Sequence, residues 1–415
     1  MPQIVTINES IIRGAAPNLL QQKGLLVSLG GTNTAAGTLS FLSEPADLTA
    51  LLPTTTASSA SSSSASPSTS PVSSSSSTSS GSSTASSPLP STTSAPSPTV
   101  ELQAMAASWF ANSTAGVWVL ELGTTKTIAD DLKAFLEKHP QSFYGVVLPR
   151  GVLAIDPNLP AFLANQGSNN TRLYAFLCGT KDDAKTLTAN SSKAVFYGAE
   201  HSTANLTQEH LASAVCAQFL SARPGPVNRL APMNFRFLTG ITPWPEAGNG
   251  PAFAAMKEAN ISFPGTAREG GVSGTILFWG NFLNGDPMSE WYGADWAAIN
   301  LELQLANLII EDSQPGIRPL IYDQNGIDRL TARAEQTLGG GEAAGCIVSY
   351  SLTATSFAAY VSQNPSAYQS GDYSGVAATI ATPRGFLSLT FNLAVDFSGQ
   401  SVVAAVSSTA SSTGA

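Results

Sequence analysis

Between residues 100 and 245, short apolar runs alternate with longer segments whose apolar residues recur every three or four positions. "GVWVLEL" (116–122), "FYGVVLP" (143–149), "RLYAFLC" (172–178) and "KAVFYG" (193–198) are apolar at nearly every position, the pattern of strands buried on both faces. "FRFLTG" (235–240) reads as a further strand. Helical spacing marks "ELQAMAASWFAN" (101–112), "TIADDLKAFLEKHP" (127–140), "NLPAFLANQG" (158–167), "DDAKTLTANS" (182–191) and "TQEHLASAVCAQFLSA" (207–222). Thr127 and Asp130 form a capping-box pair at one helix start, and Pro140 stops that helix. Upstream, "GLLVSLGG" (24–31) adds a strand, followed by "TLSFLSEPADLTALL" (38–52). Strands alternating with helices predict βαβ units, and so a mainly parallel sheet with helices on its faces.

Between Leu52 and Val100 this pattern stops. Residues 54–99 are mostly Ser, Thr, Ala and Pro, without one charge or aromatic ring. Such a stretch has too little apolar surface to offset its ordering entropy, so it is expected to be a flexible, solvated loop. The patterns on either side continue one another. The tract therefore reads as an insertion into one folding unit, facing solvent because buried polar backbone is costly.

From about residue 245 the character changes to the Gly-rich "NISFPGTAREGGVSGTILFWGNFLNG", with strand-like pieces. Trp296, Ile299, Leu303, Ala306 and Ile310 then fall on one helical face, widened by Leu301, Leu305 and Leu308. A second helix carries Ile327, Leu330, Ala334 and Leu338 on one side, and the glycines at 339–341 are expected to end it. "GCIVSYSL" (345–352), "VAATIAT" (376–382) and "GFLSLTFNLAVDFSG" (385–399) read as strands. In the last, Leu387, Leu389, Phe391, Leu393 and Val395 alternate with polar or small residues, so one face is buried. Both ends of the chain are extended candidates: "QIVTINESII" (3–12) and "SVVAAVSS" (401–408). A lone strand is not stable in water and must join a sheet, in its own chain or a neighbour's.

Composition narrows the function. Charged residues make up 11% of 415, against about 25% in ordinary proteins. A surface this poor in charge suits a chain whose surface is largely covered by partners. Net charge is −9 with no Lys/Arg cluster, which argues against nucleic-acid binding. Cys178, Cys216 and Cys346 are too sparse for a disulfide framework. No signal peptide and no 18-residue apolar run are seen, so the chain is expected to be made in the cytosol.

Candidate chemistry is thin. His139, His201 and His210 share no metal-ligand spacing, and His210 is expected on an exposed helix face. "GGTNTAAG" (30–37) follows a strand, as a phosphate loop would, but it lacks a Lys and a helix directly after it, so it reads as a turn. Asp130, Asp131, Asp182 and Asp183 read as helix-start residues, and Asp295 as an N-cap. Glu269, Asp286 and Glu290 are the carboxylates an enzyme site would use.

In order, "IVTINESI" leading to "GLLVSLGGT", then "FLSEPADLTALL" running on to "LQAMAASWFAN" and "GVWVLEL", then "FYGVVLP", "NISFPGTAREGGVSG", "WYGADWAAINLELQLANLI" and "NGIDRLTARAEQTLGGGEAAGCI" resemble the contractile tail sheath proteins of bacteriophages and related injection particles. The similarity covers most of the chain outside 54–99, and order and spacing carry it rather than one motif. The Ser-rich tract and the low charge depart from the family pattern.

The resemblance implies an α/β and α+β protein in four parts. These are an N-terminal arm (1–20), an outer domain (21–245) with a mainly parallel sheet flanked by helices and interrupted at 54–99, an inner C-terminal α+β domain (246–399), and a C-terminal arm (400–415). It implies a structural subunit without active site, metal or cofactor. That subunit stacks in helical rings around a tail tube and contracts by rigid-body movement, in the phage tail after assembly in the host cytoplasm. Implied partners are copies of itself, the tail tube, the baseplate and the tail terminator, with no nucleic acid and no membrane insertion. Ile4, Val5 and Ile7, and Val402, Val403 and Val406, would be the strand arms exchanged between neighbours. The sheet they join would include Leu387, Leu389, Phe391, Leu393 and Val395. Other readings are a different tail or baseplate structural protein, an α/β enzyme, and a cell-surface protein with a mucin-like stalk.

Overall fold

In the computed structural model, the described residues are 20–53 and 96–387, apart from 141, 169–171, 185–186, 188–193, 226, 246–249, 267–273 and 314–318. The apolar runs form a six-stranded sheet. Its strands are β1 (Gly24–Ser28), β2 (Leu39–Leu42), β3 (Val117–Glu121), β4 (Gly145–Val147), β5 (Tyr174–Gly179) and β6 (Val195–Ala199), in the order β2-β3-β1-β4-β5-β6. All pairs are parallel except the edge pair β2/β3, where Leu39 lies opposite Leu120 and Leu42 opposite Val117.

Both faces are covered, which is why the strands read as continuous apolar runs. In β1, Leu26 enters one core, while Leu25 and Val27 enter the other. After the short helix α1 (Leu48–Leu51), helix α2 (Pro98–Asn112) brings Leu102, Met105 and Trp109 to the first face. Helices α3 (Ile128–Lys138), α4 (Val152–Ile155) and α5 (Leu159–Ser168) bring Ile128, Leu132, Val152, Leu159 and Leu163 to the second. Helix α6 (Leu211–Leu220) returns to the first face, with Val215, Cys216 and Phe219 buried.

β2 precedes the Ser-rich tract and β3 follows it, yet the two strands pair. The insertion therefore interrupts a single sheet; residues 54–95 themselves lie outside the described ones.

Farther along are α7 (Gly250–Glu258) and the antiparallel pair β7 (Phe263–Thr266) and β8 (Thr275–Phe278). Ser262, just before β7, bridges to Gly198 of β6, so this hairpin continues from the sheet edge. Helices α8 (Met288–Asp312) and α9 (Gln324–Ala343) pack together. β9 (Ser349–Ala354), α10 (Phe357–Gln363), α11 (Pro365–Ser370) and β10 (Val376–Ala381) follow. β9 and β10 form an antiparallel ribbon with Val376 opposite Ala354 and Ala381 opposite Ser349. The described residues up to Gly385 group as one compact unit.

Several local expectations differ from the structure. "FRFLTG" makes only the bridge between Phe237 and Ile276, because Phe235 adopts a left-handed φ of 64° and Arg236 turns inward to donate to the carbonyls of Pro232, Gln218 and Ala231. Thr127 and Asp130 form no capping box; the Thr125 and Thr127 hydroxyls instead donate to Asp131. Asp182 and Asp183 lie in a turn, where the Asp183 carboxylate accepts from the backbone N–H and hydroxyl of Thr180. The glycines at 339–341 do not end α9, which runs on to Ala343. Gly341 makes room for a neighbouring side chain: a Cβ there would lie 2.7 Å from the Trp296 ring of α8.

Candidate functional site

In an open parallel sheet the ligand site lies outside the carboxyl ends of the strands, where the strand order reverses. Here that place is beside β1, whose neighbours β3 and β4 lie on opposite sides. The chain fills it with its own buried polar side chains.

After β4, Arg150 reaches into a network that joins four elements. Its Nε and Nη2 donate to both oxygens of Glu200, past the end of β6, at 2.6 and 2.8 Å. Nη1 donates to Glu101 of α2 at 2.8 Å, and the backbone N–H of Arg150 donates to the other Glu101 oxygen at 2.8 Å. Arg150 also donates to the carbonyls of Leu206 and Glu209. The Arg150, Glu101 and Glu200 side chains are each less than a tenth exposed.

His210 completes the network and is fully buried, not on an exposed helix face. As N-cap of α6 it accepts the Ser213 N–H on Nδ1 at 3.1 Å, so its proton sits on Nε2, 3.2 Å from Glu101. Burial alone would raise the Glu101 carboxyl, but the His210 hydrogen bond, the Arg150 charge and the Arg150 backbone N–H outweigh it and hold Glu101 at about 2. Cys178 lies 3.6 Å from His210 Nε2, but burial pushes its thiol well above the usual range, so it is not an activated nucleophile. Glu209 accepts from Asn205 N, Thr242 N and the Thr242 hydroxyl.

The loop after β1 encloses a further carboxylate, in a second cluster. Glu121, at the end of β3, accepts hydrogen bonds from Ser28, Gly30, Thr32 and Gly123. This is the sequence "GGTNTAAG" in place: a turn, with its donors spent on a side chain of the same protein.

A third cluster lies at the opposite end of the strands. Tyr144 and Tyr174, just before or at the starts of β4 and β5, donate to one oxygen of Asp295 at 2.9 and 2.6 Å. Asp295 lies within α8, whose N-cap is Pro287, so it ties the helix to the sheet rather than capping it. Burial, then the Asp295 charge, push both phenols well above the usual range, and they stay protonated donors.

The apolar face predicted for α8 is buried over its first half, where Tyr292, Trp296 and Ile299 meet the core, and again at Leu308. Leu303 and Ile310 are 50% and 62% exposed, and Ile309 is 47% exposed. α9 buries Ile327, Ala334 and Leu338 as its spacing predicts, with Leu330 half-buried.

The predicted arm residues Ile4, Val5, Ile7, Val402, Val403 and Val406, and Leu389, Phe391, Leu393 and Val395, lie outside the described residues, as does Glu269. Leu387 is 36% exposed and falls in no strand. Asp286 accepts from Asn284 and the Trp291 indole, and Glu290 pairs with Arg384. Among the described residues, no group of three or more His, Cys, Asp or Glu side chains is placed to hold a metal ion.

At the level of sequence, no family profile and no curated protein matches the chain. Its fold does find similar structures. The helical sheath of the anti-feeding prophage in its contracted state aligns over 95% of this chain and 99% of its own, with a TM-score of 0.60 and 11% identity. A chain from the contracted baseplate of the same particle aligns over 96% and 99%, with a TM-score of 0.56 and 12% identity. The chain thus has, over nearly its whole length, the fold of contractile-sheath proteins.

Proposed function

We propose that the chain is a structural, non-enzymatic subunit of a contractile tail sheath, polymerising in helical rings around a tail tube. The observation that carries this reading is the shared fold over 95% of this chain and 99% of the anti-feeding prophage sheath. The crevice that a doubly wound enzyme would use is occupied by Glu101, Glu121, Arg150 and Glu200, which supports a non-catalytic role. The exposed stripe of Leu303, Ile309 and Ile310 suits a chain that is covered in an assembly. A two-stranded ribbon such as β9/β10 is marginal alone. In this reading, residues 1–20 and 400–415 are arms, and Ile4, Val5 and Ile7, with Val402, Val403 and Val406, add strands to neighbouring subunits. The acceptor sheet includes Leu387, Leu389, Phe391, Leu393 and Val395. Residues 21–245 form the outer domain and 246–399 the inner one, with the Ser-rich insertion projecting outward; its expected end at 99 is two residues too far, because Pro98 and Thr99 are the first turn of α2 and pack on Gly31. Tube, baseplate and terminator proteins are the partners, in a virion assembled in the host cytoplasm.

Electron microscopy of the purified full chain tests this. Tubes or stacked rings are expected, lost on deletion of residues 1–12 and retained on deletion of 54–95. A chain that stays monodisperse at high concentration in every salt condition, with no filaments, would sink the proposal. Normal assembly without residues 1–12 would remove the arm assignment alone.

A further inference from the structure

The loop after β1 converges its donors on one point. Gly30 N and Gly123 N each donate to Glu121 Oε1 at 2.6 Å. Ser28 Oγ (2.7 Å), Thr32 Oγ1 (2.8 Å) and Thr32 N (3.1 Å) donate to Oε2. Gly30 reaches this geometry with a φ of 83°, which a side chain would oppose. The carboxylate is 2% exposed and has no ion pair among the described residues. Backbone N–H groups converging on an anion form a nest, and this one lies where an open parallel sheet holds a ligand. Burial pushes the Glu121 carboxyl up, but these hydrogen bonds outweigh it and hold it below the usual range.

We propose that residues 28–32, together with Gly123, are a binding site for a small oxyanion of the carboxylate or phosphate class, and that the chain fills it with its own Glu121. The filled site has a mechanical consequence. The loop it holds also grips both chain ends that flank the Ser-rich insertion. Asn33 N donates to Leu51 O at 2.8 Å, and Thr99 Oγ1 donates to Gly31 O at 3.2 Å. Gly31 lies so close under Pro98 that a Cβ would sit 2.6 Å from its carbonyl oxygen. Glu121 is therefore the internal anion that keeps the base of the insertion closed.

The test is Glu121→Ala in the full chain, melted in sodium formate, sodium phosphate or sodium chloride at equal ionic strength. In chloride the variant is expected to melt roughly 5–15 °C below wild type. Formate, with or without phosphate, should restore at least half of that loss in a saturable way, and should slow amide exchange at Asn33. Wild type should respond to formate no more than to chloride. Glu121→Gln keeps the cradle filled and should melt between the two without responding to formate. Should the Ala variant precipitate, its refolding yield in formate against chloride gives the same readout. No recovery beyond chloride, an equal rise in wild type, or a Gln variant that responds like the Ala variant would overturn the proposal.

Discussion

Replacing Arg150 by Met keeps the length and apolar stem of the side chain while removing its guanidinium from between Glu101 and Glu200. All three side chains are less than a tenth exposed, so neither carboxylate can regain water without local opening. Breaking one partner out of a buried ion pair costs about 3–5 kcal/mol. The carbonyls of Leu206 and Glu209 also lose their donor, at about 1 kcal/mol each. A loss of about 5 kcal/mol is expected, comparable to the whole stability of many domains. Urea unfolding of the unassembled full chain at pH 7, followed by tryptophan fluorescence, measures it.

The pH dependence gives an independent check. In the wild type, Glu101 titrates at about 2 against an ordinary 4.5. A depressed folded value means stability that is fully present above the ordinary value and lost as pH falls from about 4.5 towards 2. Its size is about 3 kcal/mol. Without Arg150, protonation should instead relieve the stranded carboxylates, so the gap between variant and wild type should narrow as pH drops from 7 to 4. Adding Glu101→Gln to Arg150→Met should recover about 1–2 kcal/mol at pH 7. A loss below about 1 kcal/mol, or parallel pH profiles, would refute the view that Arg150 neutralises this end of the sheet.

Other expectations follow from packing and hydrogen bonding. Gly341→Val should cost about 1–3 kcal/mol in urea unfolding, because the new carbons would meet Trp296 at 2.7 Å and Ile347 at 2.8 Å. Tyr174→Phe removes the 2.6 Å donor to Asp295 and should cost about 1–2 kcal/mol, measured in the same way. Ile310→Glu should leave the unfolding free energy in urea within about 0.5 kcal/mol of wild type, because the residue is already 62% exposed. If the stripe is covered in the proposed sheath, the same variant should yield fewer and shorter tubes by electron microscopy.

The sequence by itself determined most strands and helices of the described residues, because burial on both faces of a sheet forces runs such as "FYGVVLP", and burial on one side forces the spacing of Ile327, Ala334 and Leu338. It also determined that the Ser-rich tract interrupts one unit, as the pairing of β2 with β3 across it shows, though Pro98 and Thr99 already belong to α2. Tertiary structure alone decided where the charges go. Arg150 meets Glu101 across 49 positions, and Asp295 meets Tyr144 across 151. Periodicity carries no information about such partners, because a carboxylate at the end of an apolar run looks the same whether it caps a helix, faces water or neutralises a buried cation. His210 reads as a surface residue for the same reason: nothing near it in sequence announces Glu101, Cys178 and Ser108 around it. The glycines at 339–341 read as a helix end because glycine is usually spent there. Only the approach of Trp296 on the neighbouring helix shows that Gly341 is spent on space.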